Sequence, residues 1–180
     1  MLCDTRLSPS KEGAFRKLWG ETCHFNSHSS DKHGIAVLIR DGTPIDNIKF
    51  QNIIRGNFSK LTFNVKNESV LVKCIYAPNT DMNLTSPDNE GKIFFQKVFE
   101  DTNENNYTHK ITLGDFNVCH TYDTSGYLHI NNPNSRDYLA RNIAKCNLVD
   151  IWRDKNPKNR QYTFGKKQTK TLLGPAWIIF

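Results

Sequence analysis

The stretch Ile111-Thr-Leu-Gly-Asp-Phe-Asn117 decides how the rest of this sequence is interpreted. Its first residues are short, β-branched and apolar, which predicts a buried strand that ends at Gly114. Period-2 alternation then predicts that Asp115 and Asn117 leave on one side and Phe116 on the other. A carboxylate beside a carboxamide suits phosphodiester hydrolysis, because one takes a proton from water and the other donates to a phosphate oxygen. Gly-Asp and Asn are also turn residues, so a plain strand-turn is the alternative.

Length and composition predict one domain, 1–180, with one sizeable core. Apolar residues make up 37% of the chain, as in a soluble globular protein, and no stretch approaches the ~18 apolar residues of a membrane-spanning helix. The first residues show no basic and apolar leader, so no secretory signal is predicted.

The five cysteines are scattered and form no Cys-x-x-Cys pair, which argues against a disulfide framework or a zinc site and favours reduced intracellular thiols.

The charge of the chain favours a polyanionic partner. The formal net charge is +6 and the isoelectric point is about 9.1, which points first to nucleic acid. No membrane partner is expected, because the sequence has no membrane-spanning stretch. Most of the excess lies in Lys155–Lys170, where Tyr162 and Phe164 stand between the cations. Cationic and aromatic side chains together suit a surface that follows DNA, and a solvated loop is the open alternative.

Predicted strands and helices alternate along the chain. They are a helix from Ser8-Pro9 to Gly20, a strand over Gly34–Arg40, a hairpin of Lys60–Val65 and Ser69–Tyr76, a helix over Glu90–Thr102, the strand before Gly114, a helix capped by Ser135, and strands over Gln161–Phe164 and Ala176–Phe180. This order predicts the α/β class, a layered α/β-sandwich with a mixed sheet. The sequence begins and ends within strand-like segments, so we expect the domain to be truncated at both ends.

Several short motifs occur in a recognisable order. They are Leu2-Cys-Asp-Thr-Arg6, Trp19-Gly with Gly34-Ile-Ala-Val-Leu, Ile75-Tyr-Ala-Pro-Asn79, Leu113-Gly-Asp-Phe-Asn117, Asn147-Leu-Val-Asp-Ile-Trp152 and Gln161-Tyr-Thr-Phe164. In this order the chain resembles the endonuclease/exonuclease/phosphatase superfamily, whose fold is that of deoxyribonuclease I. It looks most like the apurinic/apyrimidinic-endonuclease-like domain of LINE-type non-LTR retrotransposon polyproteins. The resemblance implies a nuclear DNA endonuclease that leaves a nick with a 3′ hydroxyl.

The resemblance also implies a role for individual residues. Asp115 would orient and deprotonate the attacking water, and Asn117 would bind the scissile phosphate. Tyr76 would place its hydroxyl near that phosphate with Asn79 beside it, and Thr163 would contact DNA. Without the resemblance, Tyr76 is a strand-end aromatic residue, Asn79 a turn residue after proline, and Thr163 a strand former.

Asp4 takes the position of a metal-binding glutamate in the related family motif, Leu-Gln-Glu-Thr-His. The implied ion is Mg²⁺, with Mn²⁺ as the alternative, and it would polarise the phosphoryl group and stabilise the leaving oxygen. Glu21, in Gly20-Glu-Thr-Cys-His24, imitates the same motif and stays open as the ligand. Asp4 is preferred because the segments that follow it then fall in the family order.

Departures from the family pattern predict weak activity or none. Asp4 is one methylene shorter than glutamate, which removes roughly 1.5 Å of reach. Ile179 stands where the family has an acid, and the family's final Ser-Asp-His motif lies beyond Phe180. Loss of one transition-state donor typically costs roughly 100- to 1,000-fold in rate. A non-catalytic nucleic-acid-binding module is therefore the second hypothesis, and a decayed element without a selected function is the third.

Overall fold

The computed structural model describes residues 1–78, 90–100, 106–118, 133–157 and 177–179. The chain divides into two compact units: an N-terminal unit of Met1–Tyr76 with Thr102–Gly114, and a C-terminal unit of Ala77–Asp101 with Asp115–Phe180. The described strands are β1 (Leu2–Cys3), β2 (Cys23–Asn26), β3 (Ile35–Leu38), β4 (Asp46–Ile54), β5 (Phe58–Val65), β6 (Glu68–Tyr76), β7 (His109–Asp115) and β8 (Trp177–Ile179). The described helices are α1 (Glu12–Trp19), α2 (Glu90–Phe99), α3 (Pro133–Lys145) and α4 (Ile151–Lys155).

The N-terminal unit contains two sheets. The smaller sheet has three strands in the order β1-β3-β2, all antiparallel neighbours. In the larger sheet β4, β5, β6 and β7 are successive neighbours, and β5 and β6 form an antiparallel hairpin in which Val65 pairs with Glu68 and Phe58 with Ile75. This confirms the predicted hairpin, whose alternating apolar side chains and polar turn fix its register.

The two sheets of the N-terminal unit face each other across an apolar core. Ile35 and Val37 of β3 pack against Leu61 of β5 and against Val72 and Cys74 of β6. Burial raises the pKa of the Cys74 thiol to about 12, so the thiol stays neutral and behaves as a small apolar group in this core. The near-continuous apolar run of β3 was the sequence signal for this double burial.

Helix α1 covers the outer face of the smaller sheet. Phe15 meets Phe25 edge to face, with ring centroids 5.6 Å apart. Gly20 ends the helix in the left-handed conformation, with φ of 78°, as predicted. The predicted start at Ser8-Pro9 begins a 3₁₀ turn over Pro9–Lys11 that precedes the helix, and the Ser8 hydroxyl makes no capping hydrogen bond but lies 3.0 Å from that of Ser10. The result is a helix layer on two sheet layers, which confirms the predicted α/β class.

A buried asparagine joins β2 to the turn between β4 and β5. The Asn26 carboxamide nitrogen lies 2.8 Å from the carbonyl of Ile54 and 3.0 Å from that of Phe58, and its oxygen accepts from the Gly56 amide at 2.6 Å. The side chain is buried, and a buried carboxamide is favourable only when its donors and acceptor are satisfied. Asn26 therefore fixes the loop that carries Gly56 and Asn57.

The C-terminal unit is built around aromatic side chains of α2, which contacts α3. Phe94 and Phe95 are buried, and their rings meet at 5.4 Å. Ser135, predicted as the cap of α3, lies inside that helix, because Pro133 begins it with the φ angle that the first helical turn requires. The strand predicted over Gln161–Phe164 lies outside the described residues. Within the described ranges, no helix combines the length and apolar character needed to cross a membrane.

Candidate active site

A turn at the end of β7 brings Asp115 and Asn117 together. Asp115 is the last residue of the strand, and its Oδ1 accepts a hydrogen bond from the Asn117 backbone amide at 3.0 Å. Asn117 has φ of 48°, a left-handed conformation that asparagine tolerates better than most residues. Strand alternation was predicted to place the two side chains on one side. This reason is wrong, because β7 ends at Asp115 and Asn117 lies beyond the strand. An aspartate turn of the kind common after strands places the two side chains side by side.

Ala77 holds this turn from the neighbouring segment of the same unit. Its amide donates to the Asp115 carbonyl at 2.8 Å, and its carbonyl accepts from the Asn117 carboxamide nitrogen at 2.7 Å. Asn117 is only 9% exposed. A carboxamide carries two N–H groups; one anchors the side chain to the backbone, and the second has no hydrogen-bond partner among the residues that the structure describes.

Phe116 anchors the turn by packing against helix α2. It is buried and stacks on Phe95 of α2, with ring centroids 6.1 Å apart and planes 18° apart. The prediction that Phe116 leaves on the side opposite its two polar neighbours agrees with this burial. A fixed aromatic residue between Asp115 and Asn117 limits how far the polar side chains can move.

Gly114 lies inside β7 and does not end it, contrary to the prediction. Its φ is 144°, and a Cβ at this position would lie 1.8 Å from the carbonyl oxygen of Ile75 in β6. Glycine is therefore required for the close approach of β7 to β6, not for a turn. This contact holds the end of β7 close to β6.

Asp4 follows β1 and is already paired with a cation. The Arg6 guanidinium donates to Asp4 Oδ2 from Nη2 at 3.0 Å and from Nε at 3.1 Å. The hydrogen bond that Arg6 donates to Asp4, then the negative charge of Asp4, raise the pKa of Arg6. Asp4, one of the predicted site residues, is thus engaged by a guanidinium.

The described donor set fits a divalent metal poorly. Across the described part of the chain, no group of three His, Cys, Asp or Glu side chains is placed to hold an ion. Mg²⁺ can use a single carboxylate with waters and substrate phosphates, so Asp4 alone would satisfy the minimum. Its carboxylate, however, is engaged by Arg6, and a metal would have to displace or tolerate that guanidinium.

The alternative acidic residues have structural partners. Glu21 Oε2 accepts from the backbone amide of Asp41 at 3.1 Å and so ties down the turn after β3. Asp150, in the motif Asn147-Leu-Val-Asp-Ile-Trp152, caps α4 by accepting from the Arg153 amide at 3.0 Å. The choice between Asp4 and Glu21 as the metal ligand stays a prediction.

Two histidines that the sequence reasoning missed lie beside Tyr76. The His33 ring is 5.8 Å from the Tyr76 ring, and the His28 ring is 5.1 Å from that of His33. Asn57 fixes Tyr76 by accepting from its amide at 2.8 Å and donating to its carbonyl at 2.7 Å. Two histidines in the seven polar residues of 27–33, between two strands, were the available signal.

The remaining predicted site residues cannot be placed. Asn79, Thr163 and most of the basic segment Lys155–Lys170 lie outside the described residues. The catalytic, binding and metal roles predicted for Asp115, Asn117, Tyr76 and Asp4 stay predictions.

Comparisons with known proteins find a similar transposon protein and solved structures of the same fold. No model of a known protein family matches the chain. A 149 kDa transposon TX1 protein of Xenopus laevis is 25% identical over 169 residues, which is 91% of this chain and 12% of that protein. This chain therefore spans about an eighth of the length of its transposon relative.

Three solved structures share the fold over 99% of the chain. An AP endonuclease of Leishmania major has a TM-score of 0.74 at 15% identity, with 68% of its chain covered. A Neisseria 3′ phosphatase bound to a product DNA hairpin has a TM-score of 0.71 at 20% identity, with 74% covered. A 3′-5′ exonuclease of Neisseria meningitidis has a TM-score of 0.70 at 20% identity, with 74% covered. The chain therefore has a deoxyribonuclease I-like α/β fold, and over most of its length it is similar to one part of a transposon protein.

Proposed function

We propose that the chain is the endonuclease domain of a retroelement, which nicks DNA by phosphodiester hydrolysis, and that this activity is weak in the chain of 180 residues. The observation that carries the proposal is the turn that holds Asp115 and Asn117 side by side at the end of β7. A base and a hydrogen-bond donor at fixed separation are the minimum that water attack on a phosphate requires.

Each residue of the turn has a distinct part in this reaction. The Asp115 carboxylate accepts a proton from the attacking water. Asn117, anchored to Ala77 through one N–H, donates its second N–H to a phosphate oxygen on which charge accumulates. Because the carboxamide is buried and anchored, little reorganisation is needed when that charge develops.

Three features support DNA as the substrate. The net charge of +6 favours a polyanion, the relative is encoded by a transposon, and one structure of the same fold is bound to a DNA hairpin. DNA as substrate supports a location in the nucleus. The free cysteines among the described residues, Cys3, Cys23, Cys74 and Cys146, suit a reducing compartment.

The pairing of Asp4 with Arg6 supports weak activity. A carboxylate that already accepts two hydrogen bonds from a guanidinium attracts a divalent cation less, because the positive charge beside it opposes the ion. Mg²⁺, or Mn²⁺ in its place, is therefore expected to bind weakly in the native chain.

Nicking of supercoiled plasmid tests this proposal. We expect slow conversion to the open-circular form with Mg²⁺ or Mn²⁺, and none after Asp115→Ala. Nicking that survives Asp115→Ala would contradict the assigned base. If the native chain nicks rapidly and Asp115→Ala abolishes this nicking, the result would support the endonuclease and refute the weak activity.

A non-catalytic nucleic-acid-binding module is the second candidate, and the Asp4–Arg6 pair is the observation that favours it. It predicts DNA binding that weakens steeply with salt and is unchanged by Asp115→Ala. Binding of this kind, without nicking under any metal condition, would select this candidate over the enzyme.

A further inference from the structure

We propose that Ser8 is a phosphorylation site for a proline-directed protein kinase, and that the phosphate it then carries weakens the binding of DNA. The second half rests on the proposed function, because it describes how that function is regulated. Ser8 begins the segment of residues 8–11, Ser-Pro-Ser-Lys, which follows the Asp4–Arg6 pair and leads into helix α1. These four residues are called the acceptor segment below.

The acceptor segment has two sequence features that such a kinase selects. Pro9 directly follows the hydroxyl residue, and proline has no backbone N–H. A kinase pocket without an acceptor at this position therefore leaves no donor unsatisfied, as any other residue would. Lys11 stands three residues after Ser8, where its ammonium group can meet an anionic surface of the kinase.

Two other hydroxyl residues in the sequence also precede a proline, and neither has that cation. Thr43-Pro44 has Asp46 at the same distance, and Ser86-Pro87 has Asn89. The Thr43 hydroxyl, in addition, donates to the carbonyl of Arg40. Of the three sites, the acceptor segment therefore fits a proline-directed kinase best.

The acceptor segment lies at the surface of the N-terminal unit. Ser8 is half-buried and has an extended backbone, with φ of −77° and ψ of 151°, and its side chain makes no capping hydrogen bond. Its hydroxyl lies 3.0 Å from that of Ser10 in an exposed contact. Pro9, Ser10 and Lys11 are all exposed. A kinase can therefore reach the hydroxyl and the two residues that it selects.

The 3₁₀ turn over Pro9–Lys11 can open without disturbing the core. The amide of Lys11 donates to the Ser8 carbonyl at 2.9 Å, and this bond closes the turn. No residue of the turn is buried, so opening it exposes little apolar surface. A kinase that binds its substrate as an extended chain has to break this one surface hydrogen bond.

The phosphoryl transfer uses ATP as the donor and needs only the hydroxyl from this chain. Ser8 Oγ attacks the γ-phosphorus of ATP, and a bond forms between them. The bond from that phosphorus to the oxygen bridging the β-phosphate breaks, ADP leaves, and the hydroxyl proton passes to a base of the kinase. The phosphoserine carries a charge of about −1.5 to −2 at pH 7.

The added phosphate stands between two cations. Arg6, whose side chain is 62% exposed, lies two residues before Ser8, and Lys11 lies three residues after it. Asp4 is already paired with Arg6, and Glu12 begins α1. These groups are close enough along the chain to interact within the screening length of about 10 Å at 0.1 M salt. The phosphate therefore offsets both cations and repels a DNA backbone.

Phosphorylation of the folded full chain by a purified cyclin-dependent kinase, read by intact mass, tests the site. We expect one added phosphate on the native chain, its loss in Ser8→Ala and Pro9→Ala, and its retention in the matched control Ser10→Ala. Lys11→Glu should slow the transfer about tenfold, because it reverses the charge that the kinase meets. No phosphate on the native chain, or a phosphate that persists in Ser8→Ala, would overturn the site.

DNA binding tests the consequence, with a short fluorescein-labelled duplex and EDTA throughout. The phosphorylated chain is compared with the same sample after a phosphatase has removed the phosphate. We expect about tenfold weaker binding for the phosphorylated chain at low salt, with a difference that shrinks as salt rises. Ser8→Ala carried through both treatments should show no change. Equal affinities of the two forms, or no binding by the unmodified chain, would overturn the regulation.

The phosphorylation site and the proposed hydrolysis can fail separately. A chain that does not nick DNA, but is phosphorylated at Ser8 and then binds DNA more weakly, refutes the enzyme alone. A chain that nicks DNA, but is not modified at Ser8 or binds DNA equally well with the phosphate, refutes this proposal alone.

Discussion

Replacement of Asn117 by aspartate removes a single hydrogen-bond donor at the centre of the candidate site. The carboxamide nitrogen of Asn117 lies 2.7 Å from the Ala77 carbonyl and the residue is 9% exposed, so Asn117→Asp puts a carboxylate oxygen against a carbonyl oxygen away from water. The left-handed φ of 48° is tolerated by both residue types, so backbone strain contributes little.

The expected cost has two parts. The lost buried hydrogen bond costs about 1–3 kcal/mol. The introduced carboxyl, buried and facing a carbonyl, has its folded pKa raised, and each unit of increase adds about 1.4 kcal/mol at a pH where the unfolded group is ionised. With an increase of about 2 units, we expect Asn117→Asp to lower the free energy of unfolding by roughly 4 kcal/mol near pH 8.

The sign of the pH dependence follows from this raised pKa. Below the unfolded value of about 3.9 the introduced carboxyl is protonated in both states, and its O–H can donate to Ala77. Stability is therefore fully present at low pH and is lost as the pH rises through the folded pKa. Urea unfolding of native chain and variant, at pH values from about 3.5 to 8, measures the difference.

Asn47→Asp is the matched control. Asn47 also has a left-handed backbone, with φ of 54°, but its side chain is exposed and bonds only the Asp46 carboxylate among the hydrogen bonds described for it. The variant sets two carboxylates side by side, but both are exposed to water, so we expect a change below about 1 kcal/mol at any pH. A loss as small for Asn117→Asp, or one that does not grow with pH, would refute the anchoring of Asn117 to Ala77.

Further substitutions probe how the site is positioned. Gly114→Ala should lower the free energy of unfolding by more than about 3 kcal/mol, because its Cβ would lie 1.8 Å from the Ile75 carbonyl, whereas Gly13→Ala, in helix α1 with nothing within 4 Å, should raise it by about 0.5–1 kcal/mol. Chemical unfolding of both variants checks this, and equal effects would contradict the close approach of β7 to β6. Phe116→Ala should cost about 3–5 kcal/mol, because Phe116 is buried against Phe95, and a cost below about 1 kcal/mol would show that the ring does not anchor the turn. Asp150→Ala should cost about 1 kcal/mol through loss of the cap of α4, and stability unchanged within about 0.3 kcal/mol in thermal melts would contradict that cap.

The elements that the sequence predicts well are those with a strong local pattern. The hairpin of β5 and β6 combines alternating apolar residues with a two-residue polar turn, and β3 is a continuous apolar run. By contrast β4 is mostly exposed, and its polar residues give no buried face that a pattern could reveal. It pairs with β5 by backbone hydrogen bonds, which do not depend on the type of side chain and so produce no sequence pattern.

The candidate site shows the same division. Asp115 and Asn117 are visible because an acid and an amide follow an apolar strand, but their true connection, a turn held by Ala77, depends on a residue about 40 positions away. The role of Gly114 depends on Ile75 in the same way. Neither contact is local, so residue type and spacing identify the side chains without the geometry that joins them.

The two histidines beside Tyr76 were missed for a physical reason. His28 and His33 are five residues apart in a polar loop, where histidine is common and no period applies. Their placement depends on Asn57, which is distant in sequence and lies 3.3 Å from His33 Nδ1. The pairing of Asp4 with Arg6 was not predicted, although the two residues are only two positions apart and the family motif has histidine where this chain has arginine.

The proposed endonuclease activity rests on Asp115 as the base and on Asp4, weakened by its pair with Arg6, as the proposed metal ligand. The most direct test is plasmid nicking, in the presence of Mg²⁺, by the double variant Asp4→Glu with Arg6→His, which restores the Glu-Thr-His part of the family motif. We predict nicking at least about tenfold faster than that of the native chain, because a longer carboxylate is freed from its guanidinium, and complete loss on adding Asp115→Asn. No gain over the native chain, or nicking that persists with Asp115→Asn, would contradict the account.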